Sequence, residues 1–148
     1  MPETSPQFAE LYCRSNFSFL TGASHPEELV EQARSFGYTA LAITDECTLA
    51  GVVRAYSVCR QSPDALQLII GSSIQLVDGP LVILLATDRK AYGQLSALIS
   101  RGRRAAPKGE YHLSRTDLDG GLPGCLALLV PPDKIGNNTQ TLAADACW

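Results

Sequence analysis

Histidine is scarce in this sequence: His25 and His112 are the only two among 148 residues. They are not at metal-ligand spacing, so no H-x-H or H-E-x-x-H zinc signature is written here. The five cysteines are Cys13, Cys47, Cys59, Cys125 and Cys147, an odd number with no C-x-x-C pair. That pattern predicts free thiols in a reducing cytoplasm and argues against both a disulfide framework and a thiolate zinc site. No apolar run is longer than Leu81–Ala86, far short of the roughly 20 residues a membrane helix needs. Residues 1–10 hold acids and prolines and no apolar stretch of secretory type. Net positive charge is missing too: the formal charge is −3, which predicts no whole-domain electrostatic grip on nucleic acid. Neither G-x-x-x-x-G-K-[ST] nor G-x-G-x-x-G occurs, so no phosphate-cradling loop is expected.

What is present fits a buried core. Apolar residues make up 45% and charged residues 18%, which excludes wholesale disorder. Residues 1–7 read as a flexible leader. Phe8–Cys13 alternates as a first strand. Ser24 and Glu27 have capping-box spacing, Pro26 suits a first helical turn, and Leu29, Val30, Ala33 and Phe36 form a helical stripe stopped by Gly37. Thr39–Thr44 (TALAIT) is a short apolar run of the kind buried on both faces of a parallel sheet. A second helix is predicted over 49–60, with Leu49, Val52, Val53 and Tyr56 inward. Leu66–Ile70 and Ile74–Val77 read as extended. Asp78-Gly79 predicts a turn, and Leu81–Ala86 a hairpin partner. A third helix is expected over 88–101, with Tyr92, Leu95, Leu98 and Ile99 apolar, and a last strand over Cys125–Val130, ended by Pro131-Pro132. This alternation predicts an α/β fold with a largely parallel sheet and one β-hairpin. Residues 133–148 read as a linker followed by the start of a truncated helix.

Two segments, FAELYCRSNFSFLTGA (8–23) and ALAITDECTLAG (40–51), resemble the opening motifs of the PHP (polymerase and histidinol phosphatase) domain of bacterial polymerase III alpha-type, C-family DNA polymerases. LIIGSSIQL, LLATDRKAYGQLSALISRGRR, KGEYHL and LPGCLALL continue the likeness in order, and the wording is similar to the error-prone branch. Over residues 8–132 the resemblance implies the N-terminal part of a partial, distorted β/α barrel of PHP type. It also implies a parent DNA-directed DNA polymerase acting in translesion synthesis, DNA repair and damage-induced mutagenesis. The implied partners are the downstream polymerase domains of the same chain, DNA through the parent protein, and the sliding clamp and mutagenesis-complex proteins, with no membrane. Magnesium is implied for the downstream polymerase domain, and no cofactor for this segment.

The family's metal-binding members end their first strand in H-x-H; here the matching residues are Tyr12 and Arg14. Arginine stays protonated and cannot ligate a cation. The family's Asp-His pair is Asp45-Glu46 here, the acid after the third strand is Ser73, and Thr21 stands where relatives often carry an acid. Tyr12, Arg14, Asp45, Glu46 and Ser73 are therefore expected to line a degenerate site with no catalytic or metal-binding residue. Arg14 is expected to form an ion pair with Asp45 or Glu46. Alternatively, Asp45-Glu46 is a polar strand end followed by a helix-start charge. Arg101, Arg103, Arg104 and Lys108 follow a helix and read as a solvated end or as a contact to DNA or to another domain. Two rival functions stand beside the polymerase segment. One is a metal-dependent PHP phosphoesterase or exonuclease; the other is a stand-alone, non-catalytic binding module.

Overall fold

The computed structural model describes residues 7–61 and 66–131. The residues read as leader 1–6, the closing Pro132 and the 133–148 segment lie outside them. Five strands form one sheet in sequence order: β1 (Ala9–Cys13), β2 (Ala40–Ile43), β3 (Gln67–Gln75), β4 (Leu81–Ala86) and β5 (Cys125–Val130). β1, β2 and β3 pair in parallel, while β3–β4 and β4–β5 pair antiparallel. The parallel half is the one expected from alternating helices and strands. The antiparallel half begins at the predicted hairpin, where Asp78 and Gly79 lie in the turn. Leu66–Ile70 and Ile74–Val77 merge into the single strand β3, because Gly71, Ser72 and Ser73 remain in register opposite Leu85, Leu84 and Ile83.

Helix α1 spans Pro26–Ser35. Its N-cap is His25, one residue later than the Ser24 expected from sequence. The reciprocal bond runs from the His25 N–H to the Glu28 carboxylate at 2.8 Å, so Pro26 falls at N1, where its missing N–H costs nothing. Helix α2 spans Val52–Gln61 and buries Val52 and Ala55. Val53 and Tyr56, expected inward, are 69% and 51% exposed. The helix starts at Val52, not at Leu49, and the inward stripe runs through 52 and 55, at i, i+3 spacing. Helix α3 (Arg89–Arg104) is capped by Asp88, whose carboxylate accepts the Ala91 N–H at 2.8 Å. Leu95 and Leu98 are buried as expected, whereas Tyr92 is 38% exposed.

β2 is buried along its whole length. On one face Leu41 and Ile43 pack with Val30, Ala33, Ala55 and Leu66, beneath α1 and α2. On the other, Ala42 meets Ile83 and Leu85, with Leu11, Tyr12, Ile69, Leu128 and Val130 alongside. Under α3, Leu95 and Leu98 join Ile74, Leu76, Val82, Leu84, Leu113 and Leu118. Each fully buried Leu or Ile contributes about 1.5–3 kcal/mol. Gly102 lets α3 settle on this cluster, since a Cβ there would lie 2.7 Å from Leu113 Cγ. The two edge strands are β1 and β5, and Leu126 on β5 is 60% exposed.

Candidate functional site

The carboxyl ends of β1 and β2 meet the middle of β3 at one rim of the sheet. Thr44 ties the first two strands together: its N–H donates to Cys13 O at 2.8 Å, and its hydroxyl accepts the Cys13 N–H at 2.9 Å. Glu46 and Ser73 form a parallel bridge just beyond. The topology thus brings Tyr12, Arg14, Asp45, Glu46 and Ser73 to the same rim.

Asp45 is 1% exposed. Its Oδ1 accepts the Ser15 N–H and the Ser18 hydroxyl, and its Oδ2 accepts the Ser15 hydroxyl, all at 2.7 Å. Three donors at this distance satisfy the charge of a buried carboxylate without a cation. The Ser18 hydroxyl in turn accepts the Glu46 N–H at 2.9 Å, so the loop after β1 is stitched to the loop after β2. Ser72 extends the seam by donating to Asp45 O at 2.8 Å.

Glu46 is held from two sides. Tyr111 donates its hydroxyl to Glu46 Oε1 at 3.0 Å, and Arg14 Nη1 lies 3.9 Å from Oε2. Arg14 Cζ also sits 5.2 Å from the centre of the Tyr12 ring. The ion pair is partly exposed and long, so it contributes only about 0–1 kcal/mol. Arg14 makes no contact with Asp45 at ion-pair distance. The Ser73 hydroxyl and Arg14 Nε are buried without a hydrogen-bond partner. Burial pushes the Tyr111 hydroxyl pKa up, and the Glu46 carboxylate beside it reinforces the shift, against the Gln75 N–H that it accepts.

Arg103, read as part of a basic run, turns inward. Its Nε donates to Cys47 O at 3.1 Å and its Nη2 to Glu46 O at 3.2 Å; Nη1 reaches Gly109 O at 3.2 Å and Glu110 O at 3.4 Å. Its Cζ stands 5.4 Å from the centre of the Tyr111 ring. This guanidinium clamps the turn in which Cys47 takes a φ of 47°, a left-handed backbone that costs energy in a non-glycine residue. Arg101 pairs with Asp117 at 3.4 Å. Arg104 and Lys108 are exposed and make no ion pair among the described residues. The four cations thus do not form one contact surface.

Burial raises the Cys13 and Cys47 thiols to about 11. Cys13 packs on the α1–α2 side with Leu41 and Ile43, away from the rim, as strand alternation required. His25 lies beside Asn16, Nδ1 to Nδ2 2.9 Å, and His112 donates its N–H to Gly102 O. Neither is at the rim. Thr21 donates its hydroxyl to Ser18 O at 3.0 Å.

Sequence reasoning missed Ser15, Ser18, Tyr111 and the inward turn of Arg103. Two hydroxyl residues three apart in a post-strand loop are an ordinary turn pattern, and nothing in them announces a buried carboxylate 30 residues away. Among the described residues no three His, Cys, Asp or Glu side chains converge as metal ligands. The donor set at the rim does not fit a divalent cation: Asp45 is consumed by hydroxyl and amide donors, and a guanidinium stands beside the only other carboxylate.

An α/β sheet with a polar rim at the carboxyl ends of its parallel strands defines the class to which hydrolytic and phosphoester-handling α/β domains belong. The sequence matches the PHP domain family over residues 10–145, and the chain belongs to that family. It is 62% identical over 95% of its length to an error-prone DNA polymerase of Aromatoleum aromaticum. It is 52% identical, over 97% and 95% of its length, to those of Dechloromonas aromatica and Methylococcus capsulatus. It spans only 13–14% of the length of these relatives. Among solved structures, a candidate metal-dependent phosphoesterase of Bifidobacterium adolescentis matches with a TM-score of 0.55 and 29% identity, over 68% of this chain and 35% of that one. An amidohydrolase of Chromobacterium violaceum, solved with sulfate and no metal, shares the fold at a TM-score of 0.54 and 22% identity, over 66% and 34%. The five strands are thus a curled half-barrel of PHP type.

Proposed function

We propose that this chain is the N-terminal PHP segment of an error-prone, DNA-directed DNA polymerase. Its parent acts in the cytoplasm in translesion synthesis, DNA repair and damage-induced mutagenesis. The observation that carries this reading is the 62% identity across 95% of the chain to a polymerase named for that property. Nucleotidyl transfer belongs to downstream domains of the same polypeptide, which bind magnesium and touch DNA. The sliding clamp and mutagenesis-complex proteins are partners of that larger protein. The segment itself is a scaffold without a cofactor. Tyr12, Arg14, Asp45, Glu46 and Ser73 line a rim in which serine hydroxyls, a tyrosine and two guanidinium groups supply the partners that cations would otherwise supply to carboxylates.

The likeness to a metal-dependent phosphoesterase favours a second reading, hydrolysis of a phosphoester. That chemistry needs hard ligands around an activated water, and the rim offers Tyr12, Arg14 and Ser73 in their place. One experiment separates the two readings. The intact encoded polypeptide is assayed for primer extension on a template carrying an abasic site, and for phosphate release from a generic phosphomonoester in zinc or manganese. Extension without phosphate release is the expected result. Phosphate release that survives removal of the downstream domains assigns the chain to the second reading.

A further inference from the structure

The β1–α1 loop presents two large apolar side chains to solvent, Phe19 at 85% and Leu20 at 88% exposure, with Phe17 beside them at 38%. Isolated apolar side chains at a surface are ordinary. Here, however, the loop is built rigidly around them. Leu20 has a φ of 63°, a left-handed conformation that a branched side chain adopts only when its surroundings impose it. The imposing contacts are the Thr21 and Gly22 N–H groups, which donate to Ser18 O at 3.1 and 2.9 Å, and the Ser18 N–H, which donates to Ser15 O at 3.0 Å. Gly22 lies so close to Ser15 that an added Cβ would sit 1.9 Å from its carbonyl oxygen. Ser15 and Ser18 are themselves pinned to buried Asp45. The tip is therefore preorganised, as apolar anchors in protein interfaces are.

The geometry points to Phe19 and Leu20 as the anchor through which this segment docks against a downstream domain of its own polypeptide. The inference rests on the polymerase reading. Residues 15–23 carry no charged side chain, which suits an apolar protein surface and not a phosphate backbone. The relatives at 52–62% identity extend far beyond the matched region, which is 13–14% of their length, so a large body of covalently attached protein is at hand to cover the tip. Attachment keeps that body at high effective concentration, so a small apolar anchor suffices.

The test uses the intact encoded polypeptide with a benzophenone amino acid in place of Phe19. Irradiation and peptide mapping are expected to give an intrachain cross-link to a residue beyond 148. In a second variant, Phe19→Ser with Leu20→Ser, limited proteolysis is expected to release the segment several-fold faster while circular dichroism is unchanged. Cross-links to a second copy or to a different protein, or no peptide cross-link at all, overturn the inference, as does an unchanged proteolysis rate. Primer extension by the same preparation separates the two claims. Extension without an intrachain cross-link removes the docking and leaves the polymerase reading. A cross-link in a protein that cannot extend primers removes the polymerase reading.

Discussion

Ser15 donates to Asp45 twice, from its N–H to Oδ1 and from its hydroxyl to Oδ2, both at 2.7 Å. With the third bond from Ser18, this makes Asp45 a structural hub joining the loops after β1 and β2. Removing the carboxylate strands buried donors. Asp45→Ala is expected to lower unfolding free energy by about 3 kcal/mol, read as a lower urea midpoint with an unchanged slope. A loss below about 0.5 kcal/mol, the level of an ordinary surface change, contradicts that role.

Arg103 and Arg104 are adjacent in sequence and differ in environment. Arg103 donates to carbonyls at Glu46, Cys47, Gly109 and Glu110, while Arg104 is exposed. Charge-assisted bonds of this kind contribute about 1.5–3 kcal/mol each when lost with their partners buried. Arg103→Ala is expected to destabilise by about 2 kcal/mol or more, and Arg104→Ala to stay within about 0.5 kcal/mol. Parallel denaturant titrations of the two variants check the contrast.

Gly102 faces Leu113 at a distance that leaves no room for a methyl group. Helix propensity alone favours Gly102→Ala by roughly 1 kcal/mol. Overpacking costs about 1–3 kcal/mol, and Leu113 is 1% exposed with nowhere to move. The expected sign is destabilising. A raised melting temperature would show that α3 can shift on the core.

The buried thiols set an alkaline limit. Cys13 and Cys47 are held up at about 11 by burial, so the folded chain keeps protons that the unfolded chain releases near the ordinary thiol value. Fewer protons bound in the unfolded state makes stability fall as pH rises, here between about 9 and 11. Iodoacetamide labelling at pH 8 checks the same groups. Cys13 and Cys47 are expected to react about a hundredfold more slowly than a free thiol, because the thiolate fraction is reduced that far.

Much of this arrangement was readable from residue pattern. TALAIT and LVILLA gave buried strands because a doubly covered strand must be apolar on both faces, and Asp78-Gly79 gave the hairpin because the turn needs such residues. The one-residue error at the α1 cap arose because Ser24 and His25 each stand three residues before a Glu, and only the fold places Pro26 at N1. The errors at Val53 and Tyr56 came from phasing α2 three residues early. At the rim, Tyr12, Arg14 and Ser73 were readable through strand order. The partners of Asp45 and Glu46 were not, since Ser15, Ser18, Arg103 and Tyr111 reach them across 27 to 65 residues of sequence.

The account centres on a rim that its own hydrogen bonds hold together. Crystals of the protein soaked in zinc or manganese, with data collected at the absorption edge of the metal, test this most directly. The expected anomalous map has no peak within coordination distance of Asp45 or Glu46, and the Ser15 and Ser18 bonds to Asp45 persist. A strong peak about 2.0–2.2 Å from either carboxylate, with those serine bonds broken, contradicts it.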